Sequence, residues 1–283
     1  MPTVLPRSGI GEKSVPTESQ PLGYLWAAIL GIIQGVAEFL PISSSGHLAL
    51  AEHIGMGVAV PPVFDVFLHL ATLVVVVLYF RRSLAWYYRN DRIVLLYVII
   101  ATIPTGIIGV VAKDYFEALR LSPTMICIGL LVTACALSLA ELGKGATYQL
   151  RDLGWFGAFF IGLCQALAIT PGVSRSGATI SGAILCGMDK EEAFRFSFIL
   201  SIPAVLGAIG LHAPHLLKDG EARQLVQVLP IGPSIVGFVC ALVTGYVALL
   251  LLERIVVAGK LVWFAAYCCL AAIAGLIYFN IYS

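Results

Sequence analysis

The chain has 283 residues, 59% of them apolar and only 12% charged, and its mean hydropathy is strongly positive. Ordinary soluble domains are nearer half apolar and a quarter charged, which argues against a water-soluble enzyme. The 17 basic and 16 acidic residues nearly cancel, so no basic surface for nucleic acid is implied and none is expected as a partner. What fits is an all-α polytopic membrane protein.

Residues 1–20 are polar and rich in Pro, Gly and Ser, the composition of a disordered tail. Residues 21–283 read as a single membrane domain. Arg7 and Lys13 ahead of the apolar run Leu22–Leu40 imitate a signal peptide. That run carries Glu38 and leads into a polar motif, so it is assigned to the domain. It stops at Pro41-Ile42-Ser43-Ser44-Ser45-Gly46-His47, and a short amphipathic stretch follows to about Met56. Three runs long enough to span a bilayer come next, at 62–80, 92–112 and 122–140. Residues 153–170 are apolar and end at Pro171-Gly172-Val173-Ser174-Arg175-Ser176-Gly177, with a short stretch to about Met188. Three further spans are expected at 193–214, 230–252 and 260–282.

The two interrupted segments align without a gap at an offset of 131. From Gly31 to Gly46, against Gly162 to Gly177, six of sixteen positions are identical. These are Gly31/Gly162, Gln34/Gln165, Ala37/Ala168, Ser43/Ser174, Ser45/Ser176 and Gly46/Gly177. An internal duplication follows, with repeats of about 22–140 and 153–282. An odd number of spans separates the copies, so the second enters from the opposite face, the inverted-repeat plan of many transporters. A Pro/Ser/Gly break at membrane depth is tolerated only where protein or a water-filled cavity covers it. Both segments therefore read as re-entrant helix–turn–helix elements meeting near the midplane, with two kinked spanning helices as the alternative. Basic residues divide ten against six between the two faces, with Arg175 left inside. The richer face is expected to be cytoplasmic and the termini to face outward.

Charges at membrane depth are costly and usually mark function. Arg175 stands between Ser174 and Ser176, before a short helix expected to start near Gly177. A guanidinium fork beside a helix N-terminus suits a phosphate, and Thr179 adds a hydroxyl from the first helical turn. The matching turn supplies Ser43, Ser44 and Ser45 beside His47, so the two turns together would surround a diphosphate. Gln34 and Glu38 lie four apart and share a helical face. Glu38 beside serines suits a general base or a magnesium ligand; a purely structural carboxylate and an arginine merely satisfying carbonyls are the alternatives. His47 suits proton donation to a leaving oxygen. Asp65 and His69, also four apart, read as an orienting pair, and His212 and His215 as loop histidines. The seven cysteines all lie in apolar stretches with no zinc or disulfide spacing and read as small buried hydrophobes.

These motifs resemble those of the undecaprenyl-diphosphatase family, the bacitracin-resistance type of membrane lipid-diphosphate phosphatase. The first signature is similar to Gln34–His47 and the second to Pro171–Thr179. Phe64-Asp65-Val66-Phe67-Leu68-His69-Leu70 and Arg195–Pro203 also look typical, and the resemblance covers about 22–282. It implies removal of one phosphate from undecaprenyl diphosphate, recycling of the carrier lipid for peptidoglycan, bacitracin tolerance and a divalent cation, usually Mg2+. It also implies a multi-pass protein of the bacterial cytoplasmic membrane whose active site faces outward. Its partners would be the polyprenyl diphosphate and membrane lipids, and a homodimer is compatible with it. The family's first acidic position is Glu or Gln. It is Gln34 here, which leaves Glu38 as the main carboxylate, with Gln34 beside it toward a metal.

On this reading Arg175, Ser174, Ser176 and Thr179 hold phosphate oxygens together with Ser43 and Ser45. Ser44 attacks after activation by Glu38, with His47 assisting proton transfer; a Glu38-activated water is the rival. A lipid flippase using the same inverted repeat is the second function class. The type-2 phosphatidic acid phosphatases share Ser-Gly-His and Ser-Arg elements but lack matching partners elsewhere in the chain.

Overall fold

A computed structural model describes residues 22–54, 60, 62–143, 147–217 and 230–282; the polar tail lies outside them, as do the side chains of His212 and His215. Apolar runs in a solvent that cannot satisfy backbone groups must close their own hydrogen bonds. Helices accordingly form along nearly all of the described chain. The order is α1 (Tyr24–Phe39), α2 (Ser44–Ile54), α3 (Pro62–Asn90), α4 (Arg92–Val111), α5 (Lys113–Arg120), α6 (Pro123–Leu142), a 3-10 turn (Leu150–Asp152), α7 (Gly154–Leu167), α8 (Arg175–Leu185), α9 (Lys190–Leu217), α10 (Ile231–Val257) and α11 (Val262–Tyr282).

Six helices are long and apolar enough to cross a membrane: α3, α4, α6, α9, α10 and α11. The shorter α1 and α7 have 16 and 14 residues. At 1.5 Å per residue each reaches only about 21–24 Å, short of the ~30 Å hydrocarbon core. Each ends in a turn followed by an 11-residue helix, α2 or α8. The expected span positions hold, with two adjustments. α3 runs ten residues beyond the expected 80, to Asn90, because Tyr87 packs into the main core while Arg81, Arg82 and Arg89 stay exposed. The stretch after α4, expected as a loop, is the short helix α5, with Asp114 in its first turn and Arg120 in its last, charges that suit the dipole at each end.

The two short apolar helices pack in similar ways. α1 lies against α10 through small residues: a Cβ on Gly31 would overlap the Gly237 carbonyl, and one on Gly35 would overlap Thr244 and the Ala241 carbonyl. α7 lies against α4 in the same way, with Gly162 on the backbone of Ala101. Small residues let backbones approach closely where apolar side chains gain nothing over lipid. The core between the repeats is aromatic: Phe39, Phe80, Phe194 and Phe198 pack as tilted, stacked and edge-on pairs with centroids 5.0–6.2 Å apart. All four are essentially inaccessible.

Candidate active site

Each interrupted segment ends its first helix and restarts with a serine cap. Ser43 Oγ accepts from the Gly46 amide at 3.2 Å, and Ser174 Oγ accepts from the Gly177 amide at 3.1 Å. This is the Ncap-to-N3 pattern that satisfies one orphan donor of a helix start. It corrects the expected start near Gly177: the cap at Ser174 makes Arg175 the first helical residue. The turns differ in how they reverse. The second uses Gly172 at φ +88°, whereas the first puts a non-glycine, Ser43, at φ +69°. A side chain held in the left-handed region costs about 1–2 kcal/mol and persists only where its surroundings over-determine it.

Those surroundings are specific. In the second turn Thr133 of α6 accepts from the Ser174 amide at 2.8 Å and donates to the Gly172 carbonyl at 3.1 Å. In the first, Cys268 of α11 donates to the Pro41 carbonyl at 3.5 Å. Pro41 and Gly172 align at the offset of 131, so Thr133 and Cys268 hold matching carbonyls of the two turns. His47 adds a second tie: Nδ1–H donates to the Ser43 carbonyl at 2.8 Å, which leaves Nε2 to accept from the Tyr267 hydroxyl at 2.7 Å.

The turns bring the charges together. Glu38, in the last turn of α1, receives Arg175 Nη2 on Oε1 at 2.9 Å, an ion pair with side chains only 17% and 11% exposed. Its other oxygen, Oε2, accepts from Ser44 Oγ at 2.7 Å and from Gln34 Nε2 at 3.2 Å. His69 Nε2 faces the same oxygen at 3.9 Å, an electrostatic contact too long for a hydrogen bond. The Arg175 guanidinium lies over the Phe198 ring at 5.5 Å, a cation–π contact strengthened by desolvation. Two buried polar atoms at this site have no hydrogen-bond partner, the donor Arg175 Nη1 and the acceptor Gln34 Oε1. Unmet donors and acceptors in a buried site carry a desolvation penalty unless something else satisfies them.

The remaining expected residues lie around this centre in different environments. Ser45 is exposed and within 3.4 Å of Ser43 Oγ, whereas its counterpart Ser176 is buried and 3.2 Å from Ser174 Oγ. Thr179 is inaccessible; its hydroxyl donates to the Arg175 carbonyl at 2.8 Å and lies 2.5 Å from Ser197 Oγ. His47 points at Tyr267, and the histidine beside the carboxylate is His69. The expected Asp65–His69 side-chain pair is corrected: His69 Nδ1–H donates to the Asp65 backbone carbonyl at 2.9 Å, while the Asp65 carboxylate turns to Arg120 at 3.7 Å. Ser45, His69, Asp65 and Arg120 are the accessible or part-accessible polar groups around the centre, whereas Thr179 and Ser197 are buried.

The profile of the bacitracin resistance protein BacA family matches residues 27–274, a span that contains both turns. This chain belongs to the BacA family. It is 41% identical to the undecaprenyl-diphosphatase of Carboxydothermus hydrogenoformans over 85% of this chain and 92% of that protein. It is 37% identical to undecaprenyl-diphosphatase 2 of Bacillus thuringiensis (strain Al Hakam) over 88% and 96%, and 39% identical to the undecaprenyl-diphosphatase of Halothermothrix orenii over 86% and 93%. In this BacA chain, Thr133 and Tyr267 support the site yet carry no local signal, being ordinary residues of long apolar helices, whereas Ser197 and Phe198 lie in the family-like stretch Arg195–Pro203 without an assigned role there. Only His69 stood out by type, and its i,i+4 spacing to Asp65 pointed to the wrong partner.

Proposed function

We propose that the chain is an integral-membrane phosphatase that hydrolyses undecaprenyl diphosphate to undecaprenyl phosphate and inorganic phosphate, recycling the carrier lipid and conferring tolerance to bacitracin. The observation that carries this reading is the convergence on one buried carboxylate of a serine hydroxyl at 2.7 Å and a guanidinium at 2.9 Å whose second amino group has no partner. Nη1 is a ready donor for a phosphate oxygen, and the Arg175 and Ser176 amides add the anion-binding end of α8. Glu38 is placed to take the proton of Ser44. Ser44 Oγ then bonds to the terminal phosphorus as the anhydride P–O bond breaks, and the lipid monophosphate leaves with the bridging oxygen. Water in turn cleaves the phosphoserine, releasing phosphate. A flippase alone has no need of a hydroxyl held on a carboxylate beside an arginine.

A magnesium ion fits the oxygen donors present. Gln34 Oε1 is buried and unpartnered, and Glu38 lies next to it. With two protein ligands, the ion would take its other positions from water and phosphate oxygens. Among the described residues no group of three or more His, Cys, Asp or Glu stands together as a metal cage, consistent with an ion carried partly by substrate. Bound there, it would neutralise charge on the diphosphate. The basic-residue bias, which puts the Asp65 end of α3 on the poorer face, supports an outward-facing site in the bacterial cytoplasmic membrane. The test is phosphate release by the purified full-length protein from C55 diphosphate in detergent. Release that a chelator abolishes and Mg2+ restores is expected; no release at any metal concentration overturns the reading. A phosphoserine trapped at Ser44 is expected under acid quench, and near-normal turnover by Ser44→Ala would transfer the attack to water.

A further inference from the structure

At the opposite end of α3 from the catalytic mouth lies a second cavity, of about 620 Å³, that the hydrolysis reaction does not use. Arg82, where the cavity begins, is seventeen residues along α3 from Asp65, about 26 Å of helix. The walls are the last turns of α3, the 3-10 turn around Arg151 and the first turns of α9. Three arginines line it. Arg195 is neutralised by Glu191 and Glu192, the latter at 3.0 Å. Arg82 and Arg151 are exposed and form no ion pair with an acidic side chain among the described residues. Asp91 is the remaining acidic group in the lining, so the charges balance overall, and what faces the space is two exposed guanidiniums, Arg82 and Arg151, that are not tied to a carboxylate.

The position identifies the ligand. Arg82, Trp86 and Asn90 recur at four-residue intervals on α3 and line the cavity together. Trp86 is 54% exposed, and Trp155, at the start of α7, is 53% exposed. Half-exposed tryptophans at the ends of apolar helices sit at headgroup level. One turn deeper than Arg82, Leu78 is 51% exposed on α3 and offers apolar surface to an acyl chain. The volume is within the range of small-molecule sites, and guanidinium forks match phosphate oxygens.

We infer that this cavity is a binding site for the phosphate headgroup of an anionic membrane phospholipid, held by Arg82 and Arg151 on the face opposite the catalytic mouth. The test is native mass spectrometry of the full-length protein in neutral detergent, titrated with phosphatidylglycerol and, separately, phosphatidylcholine. Wild type is expected to retain phosphatidylglycerol at least ten-fold more strongly. Arg82→Ala/Arg151→Ala is expected to lose that preference, whereas Arg89→Ala, an exposed arginine of α3 outside the lining, keeps it. The milder Arg151→Gln should weaken retention by itself, and unchanged phosphate release by each variant certifies its fold. Equal retention of the two lipids by wild type, or equal loss in Arg89→Ala, overturns the site. Displacement of the lipid by millimolar inorganic phosphate with no effect of headgroup chemistry would make it a free-anion site and overturn the lipid assignment.

Discussion

Arg175 presents two amino groups with separate tasks: Nη2 is spent on Glu38, and Nη1 is free for substrate. A lysine keeps the charge but offers one compact head in place of a planar fork. Arg175→Lys is therefore expected to lower kcat/KM at least ten-fold, about 1.4 kcal/mol or more, read by phosphate release. The two histidines near the first turn should separate by role. His69 stands 3.9 Å from Glu38, beyond hydrogen-bond range, and adds no tie to the turn. His69→Gln is expected to change turnover by less than about five-fold, little more than the loss of an exposed ion pair. His47 uses both ring nitrogens to hold the strained Ser43 turn against Tyr267. His47→Ala is expected to cost ten-fold or more, about 1.4 kcal/mol, with Tyr267→Phe falling between. Equal effects of the two histidine variants would refute this division.

At the scale of elements, the site depends on two helices, α6 and α11, that supply neither its carboxylate, its arginine nor Ser44. Thr133 of α6 and Cys268 of α11 pin equivalent carbonyls of the two turns. They are unequal pins. Thr133 also satisfies the buried Ser174 amide, whereas a thiol is a weak donor. Thr133→Val leaves two buried backbone groups unpaired and is expected to destabilise the protein by about 1–3 kcal/mol. Cys268→Ala should cost clearly less, as judged by thermal unfolding midpoints in one detergent. The α1–α10 contact has no slack either. Gly35→Val would drive a side chain into the α10 backbone, so reduced yield of folded protein is expected.

For the whole molecule, the first half of the chain delivers the carboxylate and the second half the arginine, with a four-phenylalanine core between them. Asp65, His69 and Arg120 are part-exposed toward one end of α3, while the arginine-lined cavity opens at the other end. A membrane-impermeant thiol reagent applied to intact cells should label Ser45→Cys above the unsubstituted chain. It should leave Arg151→Cys unlabelled until the membrane is permeabilised. The reverse pattern would invert the orientation.

Composition and periodicity alone determined the helical class, the six spans and the duplicated turn motif, because a hydrocarbon solvent permits few ways to bury a backbone. The same rule made Glu38 and Arg175 visible, since a charge inside an apolar run is rare enough to stand out, and the polar break after Pro41 did the same for Ser44. The pairing of Glu38 with Arg175 across 137 positions was decided only by folding, as were the Thr133 and Cys268 pins, the Phe198 platform and the contacts of His47 with Tyr267 and of His69 with Glu38. Each of these is a long-range contact between ordinary residues, set by how two repeats interlock, and local spacing holds no record of it.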